Sequence, residues 1–221
     1  MNTDARSRPD STYFSLTTLP ANYRLIRKLG IDSPRTFWAL NIAALVPFLL
    51  SFWLFLQIDG LLNLYYRVSD PVIWLNSTER VELSLVVIPL VILMLAMHEL
   101  CHGLAYRVFG AKPRYGVNLR KFVAYASAEN YYISRNAYVL VALAPLVLLS
   151  LLTVIGIALT GGTVRLIVVL LGAANAGGAI GDLWFTWVCV RLPTSLLVRD
   201  HGDGAELYLP ASLGQPAQDQ D

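Results

Sequence analysis

The chain has 221 residues, of which 56% are hydrophobic and 14% charged, with a mean hydropathy of +0.54. A soluble domain carries about 25% charged residues, so this composition excludes an ordinary soluble globular protein. A net charge of +2 with no basic-aromatic pattern gives no sign of a nucleic-acid partner.

Residues 1–36 read as a cytoplasmic N-terminal segment. Its first 19 residues are polar and expected to be disordered. PANYRLIRKLGIDSP then mixes basic and apolar residues between two prolines, which fits a short interfacial amphipathic helix or a juxtamembrane linker. Charged residues are absent from Thr36 to Gln57 and from Asn136 to Val164, and only Asp182 lies between Arg165 and Arg191. A spanning helix needs roughly 20 mostly apolar residues. Four spans are therefore expected, at about 37–58, 83–108, 137–160 and 165–190. Pro47, Pro89 and Pro145 lie within them and mark kinks. The first apolar run begins near residue 36, too far along for a cleavable signal peptide.

The connections carry weaker signals. Tyr65, Tyr66 and Trp74, in the outer loop 59–82, suit an interfacial aromatic belt, and Asn76-Ser77-Thr78 is a glycosylation sequon. The inner loop 110–136 alternates side chains at Val117/Leu119 and Val123/Tyr125, as in one or two short strands. In the tail, 191–221, LLVRDHGDGAELYLP places two apolar stretches around turn residues, as in a β-hairpin, and the last eight residues look unstructured. The expected fold class is an all-α polytopic membrane protein. It has a four-helix membrane domain over 37–190, with short β-hairpins compatible with the inner loop and the tail. Cys101 and Cys189 both fall in expected spans, which argues against a disulfide framework.

Lys and Arg set the orientation. Arg6, Arg8, Arg24, Arg27, Lys28 and Arg35 precede the first span, and Arg107, Lys112, Arg114, Arg120, Lys121 and Arg135 follow the second. Arg191 and Arg199 follow the fourth, whereas the intervening segments hold Arg67, Arg80 and Arg165. This alternation predicts a multi-pass protein in the lipid bilayer with both termini cytoplasmic.

MHELCH ends the second apolar run. At about 100° per residue, His102 lies about 40° and Glu99 about 100° from His98, so all three share one side of a helix. Two imidazoles one turn apart can bind one Zn²⁺, and Glu99 is then placed as a general base rather than a ligand. Packed polar residues are the bland alternative. They would have to bury two histidines and a glutamate unpaired in an apolar helix, which costs several kcal/mol. A catalytic zinc has three protein ligands. Asp182 is the candidate for the third. It lies nine residues before Arg191, as His98 lies nine before Arg107, which puts both about 13 Å from the inner rim. A salt bridge to an arginine in the bundle is the alternative for Asp182. His201 falls in a polar turn and reads as solvated. Asn175, seven residues before Asp182, is a candidate for contact with substrate or oxyanion if the glycines around it break the helix, and equally for helix-helix packing. Cys101 reads as a small packing residue.

These residues resemble the site-2 protease-like membrane zinc metallopeptidases, closest to their "putative zincin peptidase" branch. HELCHGLAYRVFGAKPRYGV looks like the ligand helix of that branch with its following loop. LAPLVLL and NAGGAIGD come in the expected order, and DHGDGAELYLP looks like its tail. The resemblance covers roughly residues 84–190. It implies a bundle of membrane helices, zinc held by His98, His102 and Asp182, and Glu99 as base. The typical Asn-Pro...Leu-Asp-Gly pattern is altered: the prolines are missing and Gly181-Asp182-Leu183 stands in place of Leu-Asp-Gly, which leaves the role of Asn175 open. No PDZ-like domain is expected.

The expected function is a zinc-dependent intramembrane endopeptidase. Its partners would be the bilayer and a membrane-spanning or membrane-adjacent polypeptide, cut near the cytoplasmic face. Two other classes compete. A non-catalytic metal-binding scaffold or sensor would tolerate loss of Glu99. A metal transporter would carry further ionisable residues along several spans, and spans one and three have none.

Overall fold

A computed structural model describes residues 14–213 except 31–32, 67–76, 119–122 and 203. The expectations for residues 1–13, Trp74, Asn76 and the last eight residues lie outside the described residues.

In chain order the elements are β1 (Ser15–Leu16), β2 (Tyr23–Gly30), α1 (Pro34–Ala43), α2 (Leu45–Tyr66), α3 (Ser77–Val108), β3 (Arg114–Asn118), β4 (Val123–Ser127), β5 (Tyr132–Ser134), α4 (Arg135–Leu159), α5 (Gly162–Gly178), α6 (Ile180–Val190), β6 (Leu197–Asp200) and β7 (Gly204–Pro210), with a short 3-10 turn at Ala211–Leu213. Among the described residues three helical stretches are each long and apolar enough to cross a membrane: Pro34–Tyr66, Leu85–Val108 and Arg135–Leu159. Their outer faces expose large apolar side chains, including Leu50, Trp53, Ile92 and Leu151. A continuous surface of that kind fits lipid rather than water. α1 and α2 break at Ala44, three residues before Pro47, whose missing N–H cannot serve the carbonyl of Ala43.

The expectation of an all-α protein with four spanning helices is corrected on two counts. First, the stretch expected as the fourth span is two shorter helices, α5 and α6, bent by 42° at Ala179. Gly177, Gly178 and Gly181 surround the break, and each costs a helix about 1 kcal/mol relative to alanine. Gly177 also permits a close approach. A Cβ there would lie 3.2 Å from Cβ of Phe48 and 3.3 Å from the carbonyl oxygen of Ala44.

Second, the strands form a substantial antiparallel sheet rather than isolated hairpins. Five strands lie in the order β1-β5-β6-β7-β2, and β3 and β4 form a separate pair. The segment expected as an interfacial helix is β2. It pairs with β7 through a register shift between Leu25 and Arg27. Ile133, Val198 and Leu207 stand opposite one another across β5, β6 and β7, and each is fully buried. They pack with Tyr106 of α3, Tyr138 and Val141 of α4, and Val188 and Cys189 of α6. Burying an aliphatic side chain of this size stabilises by about 1.5–3 kcal/mol, so the sheet is anchored to three helix ends. A smaller cluster of Phe55, Ile157 and Val169 joins α2, α4 and α5. The sheet gathers the first and last described strands, so both ends of the described chain lie at one end of the bundle. Both cysteines are buried and free.

Candidate metal centre

α3 carries His98 and His102 on successive turns, with ring centroids 5.0 Å apart. α6 brings Asp182 against them. Nε2 of His98 lies 3.2 Å from Oδ2 of Asp182, and Nε2 of His102 lies 3.3 Å from Oδ1. One ligand atom from each of the three residues lies within 4.8 Å of the others. The bend at Ala179 starts α6 afresh and places Asp182 in its first turn.

The hydrogen bonds on the far side of each ring fix the tautomers. Nδ1 of His102 lies 2.9 Å from the carbonyl oxygen of Val141, which can only accept, so Nδ1 carries the proton. That carbonyl is free to accept because Pro145, four residues on, has no N–H to return to it. Nδ1 of His98 lies 2.9 Å from Oδ1 of Asn175, whose amide donates to the carbonyl of Pro145 at 3.3 Å. The Asn175 oxygen therefore faces His98, and Nδ1 of His98 is again the donor. Both rings therefore turn Nε2 toward the Asp182 carboxylate.

At 3.2–3.3 Å each Nε2 shares either a proton or a metal ion with the carboxylate, and the same three side chains can serve both. The spacing suits zinc: ligands at about 2.0–2.2 Å in a tetrahedron lie about 3.3–3.5 Å apart. Two imidazoles and one carboxylate, each imidazole oriented by an oxygen behind it, are a fitting donor set.

Glu99 stands beside the cluster and lines the same cavity, of about 550 Å³. The backbone of Ala126 in β4 lies near the Glu99 carboxylate. The cavity is walled by Phe37 and Leu40 of α1, Ala124 and Tyr125 of β4, and Trp184 of α6.

Of the residues expected at the site, the structure brings together His98, His102 and Asp182, with Glu99 beside them and Asn175 behind His98. Asn175 is 1% exposed and holds the ring rather than facing the cavity. The partners of Asp182 are the two imidazoles rather than an arginine. His201 sits in the β6–β7 turn with Nε2 3.3 Å from Glu206. Sequence reasoning missed Val141, whose signal is Pro145 four residues later. It also missed Tyr106, whose signal is its place one turn past His102 on the ligand face.

Two histidines and an aspartate beside a glutamate in one cavity form a cluster that could hold a metal ion, in a chain with helices long and apolar enough to cross a membrane. Residues 91–197 match the model of a family described as "Putative zincin peptidase". The match takes in 107 of the 221 residues, from α3 to the start of β6, and makes the chain similar to zincin-like peptidases over that stretch. No curated protein and no solved structure matches the chain.

Proposed function

We propose that the protein is a zinc-dependent endopeptidase of the site-2 protease type, acting within the membrane on membrane-spanning or membrane-adjacent polypeptides. The observation that carries this reading is the convergence of the two Nε2 atoms on Asp182, with a glutamate beside them in one cavity. His98, His102 and Asp182 would hold the ion. Zinc bound there supplies a Lewis acid and lowers the pKa of a bound water to about 7.

The chain's own residues do the rest. Glu99, near the backbone of Ala126, accepts a proton as the water oxygen attacks the peptide carbonyl carbon. It returns that proton to the amine nitrogen as the C–N bond breaks. A peptide bond within a helix is shielded by its own hydrogen bonds, so the substrate must be extended at the site. β4 offers a template. β4 pairs with β3 along one edge, and its Ala124, Tyr125 and Ala126 line the cavity beside Glu99. An extended segment can add to its other edge.

Glu99→Gln tests the reading. Elemental analysis should find about one zinc per chain in both wild type and variant. Cleavage of membrane proteins should fall by about 10²–10⁴-fold in the variant. Equal cleavage by both would remove Glu99 from the chemistry. A cellular phenotype rescued equally by both, without cleavage, would favour a metal-binding scaffold.

A further inference from the structure

Asp200, the last residue of β6, lines the cavity from a side that the metal cluster does not use. One of its carboxylate oxygens accepts the backbone N–H of Gly202 at 2.7 Å, and the other accepts the phenol of Tyr106. Tyr106 is 1% exposed and lies four residues past His102 and eight past His98. At about 100° per residue these three fall on one face of α3. The tail therefore sends a carboxylate into a largely apolar core to hold the ligand helix one turn beyond its second ligand.

The same turn grips the strand beside Glu99. Gly202 has φ +85°, and the ring of Tyr125 in β4 packs where a Cβ would stand. The hairpin turn thus touches α3, which carries both histidines, and β4, whose Ala126 backbone lies near the glutamate. Asp200 lies beyond residue 197, where the family match ends.

We propose that Asp200 is a positioning residue of the active site. Through Tyr106 it fixes the end of the ligand helix, and through the Gly202 turn it keys the C-terminal hairpin into the cavity wall, so that the metal ligands and Glu99 keep one mutual geometry. The proposal rests on the metal-peptidase reading.

The test uses the full chain in detergent micelles with Co²⁺ as the metal probe. Visible absorption reports the ligand geometry, and a quenched-fluorescent peptide reports hydrolysis. Asp200→Ala and Tyr106→Phe should each bind about one Co²⁺ per chain, as the first shell is intact. Both should alter the visible bands in the same way and lower kcat by about 10–100-fold with little change in KM. The double variant should match the single ones. Asp200→Asn, with one amide oxygen for the two donors that the carboxylate serves, should restore the wild-type bands only in part. His201→Ala, in the same turn but paired with Glu206, should leave bands and rate unchanged.

Wild-type bands and rate in Asp200→Ala, or losses in the two single variants that multiply in the double, would overturn the proposal. If Asp200→Ala does not fold, unchanged bands in Tyr106→Phe overturn it equally. A wild type that binds Co²⁺ but cleaves no peptide would count against the peptidase reading, while the bands still decide the role of Asp200. A wild type that binds no Co²⁺ would remove the metal reading and this proposal together.

Discussion

Each imidazole at the candidate site has Nδ1 committed to an oxygen and Nε2 turned to Asp182. Pro145 serves both. Its missing N–H frees the Val141 carbonyl for His102, and its own carbonyl receives the Asn175 amide that positions Asn175 for His98. Asn175→Ala leaves Nδ1 of His98 without its acceptor in a buried setting. Zinc affinity, measured by chelator competition, should fall by about 10–100-fold, and Asn175→Asp should retain it. Unchanged affinity in Asn175→Ala would reduce the residue to helix packing. The clustering of His98, His102 and Asp182 was legible in the sequence because the two histidines are local and the depth of Asp182 follows from counting to the nearest arginine. The orientation of Asn175 was not. A straight helix puts it about 10 Å from Asp182 along the axis, and its actual partner is set by a bend whose angle no single residue announces. Asp200 meets Tyr106 across 94 residues of chain, a contact that periodicity cannot show.

At the scale of elements, the hairpins β3–β4 and β6–β7 were legible from alternation and turn residues, but the sheet that joins five strands was not. In β2 the shift between Leu25 and Arg27 interrupts the two-residue period, so basic and apolar residues look scattered as on an interfacial helix. β5 is three residues long and defined mainly by its partners on either side. Glu206 of β7 ties this sheet together. It accepts from the Tyr208 phenol at 2.7 Å and pairs with Lys28 of β2 at 2.9 Å. These interactions hold its carboxyl down at about 2, against 4.5 unperturbed, and burial only partly opposes them. A depressed carboxyl stabilises the fold above its unfolded pKa, and that stability is lost as pH falls through the folded value. The thermal midpoint in detergent should therefore drop between about pH 5 and pH 2, and Glu206→Gln should be less stable at neutral pH with a flatter profile over that window. A variant with the same acid slope as wild type would show that other carboxylates govern it.

At the scale of the whole molecule, the two ends of the bundle differ in charge as well as shape. The sheet end carries Arg24, Arg27, Arg35, Arg107, Lys112, Arg114, Arg135, Arg191 and Arg199. At the other end, Arg165 is paired with Asp59 at 2.8 Å and is bound to the carbonyl of Thr160 at 2.6 Å. Basic residues near membrane helices favour the cytoplasmic side. We propose on that ground that the sheet and both described chain ends face that side. The candidate metal cluster lies inward of that surface, with His98 about two and a half and His102 about one and a half helical turns before Arg107. A substrate would then be cut close to its cytoplasmic end. Single cysteines test the sidedness, because Cys101 and Cys189 are 5% and 0% exposed and should react slowly with a membrane-impermeant maleimide. Val117→Cys lies on the exposed β3 strand of the sheet-end hairpin, and Gly161→Cys on the exposed turn between α4 and α5. In intact cells Gly161→Cys should label from outside, and Val117→Cys only after permeabilisation. The reverse pattern would turn the molecule over and put the cavity, with its Glu99 chemistry, on the outer face. Labelling of both from outside would break the link between basic residues and sidedness on which the cytoplasmic cut depends.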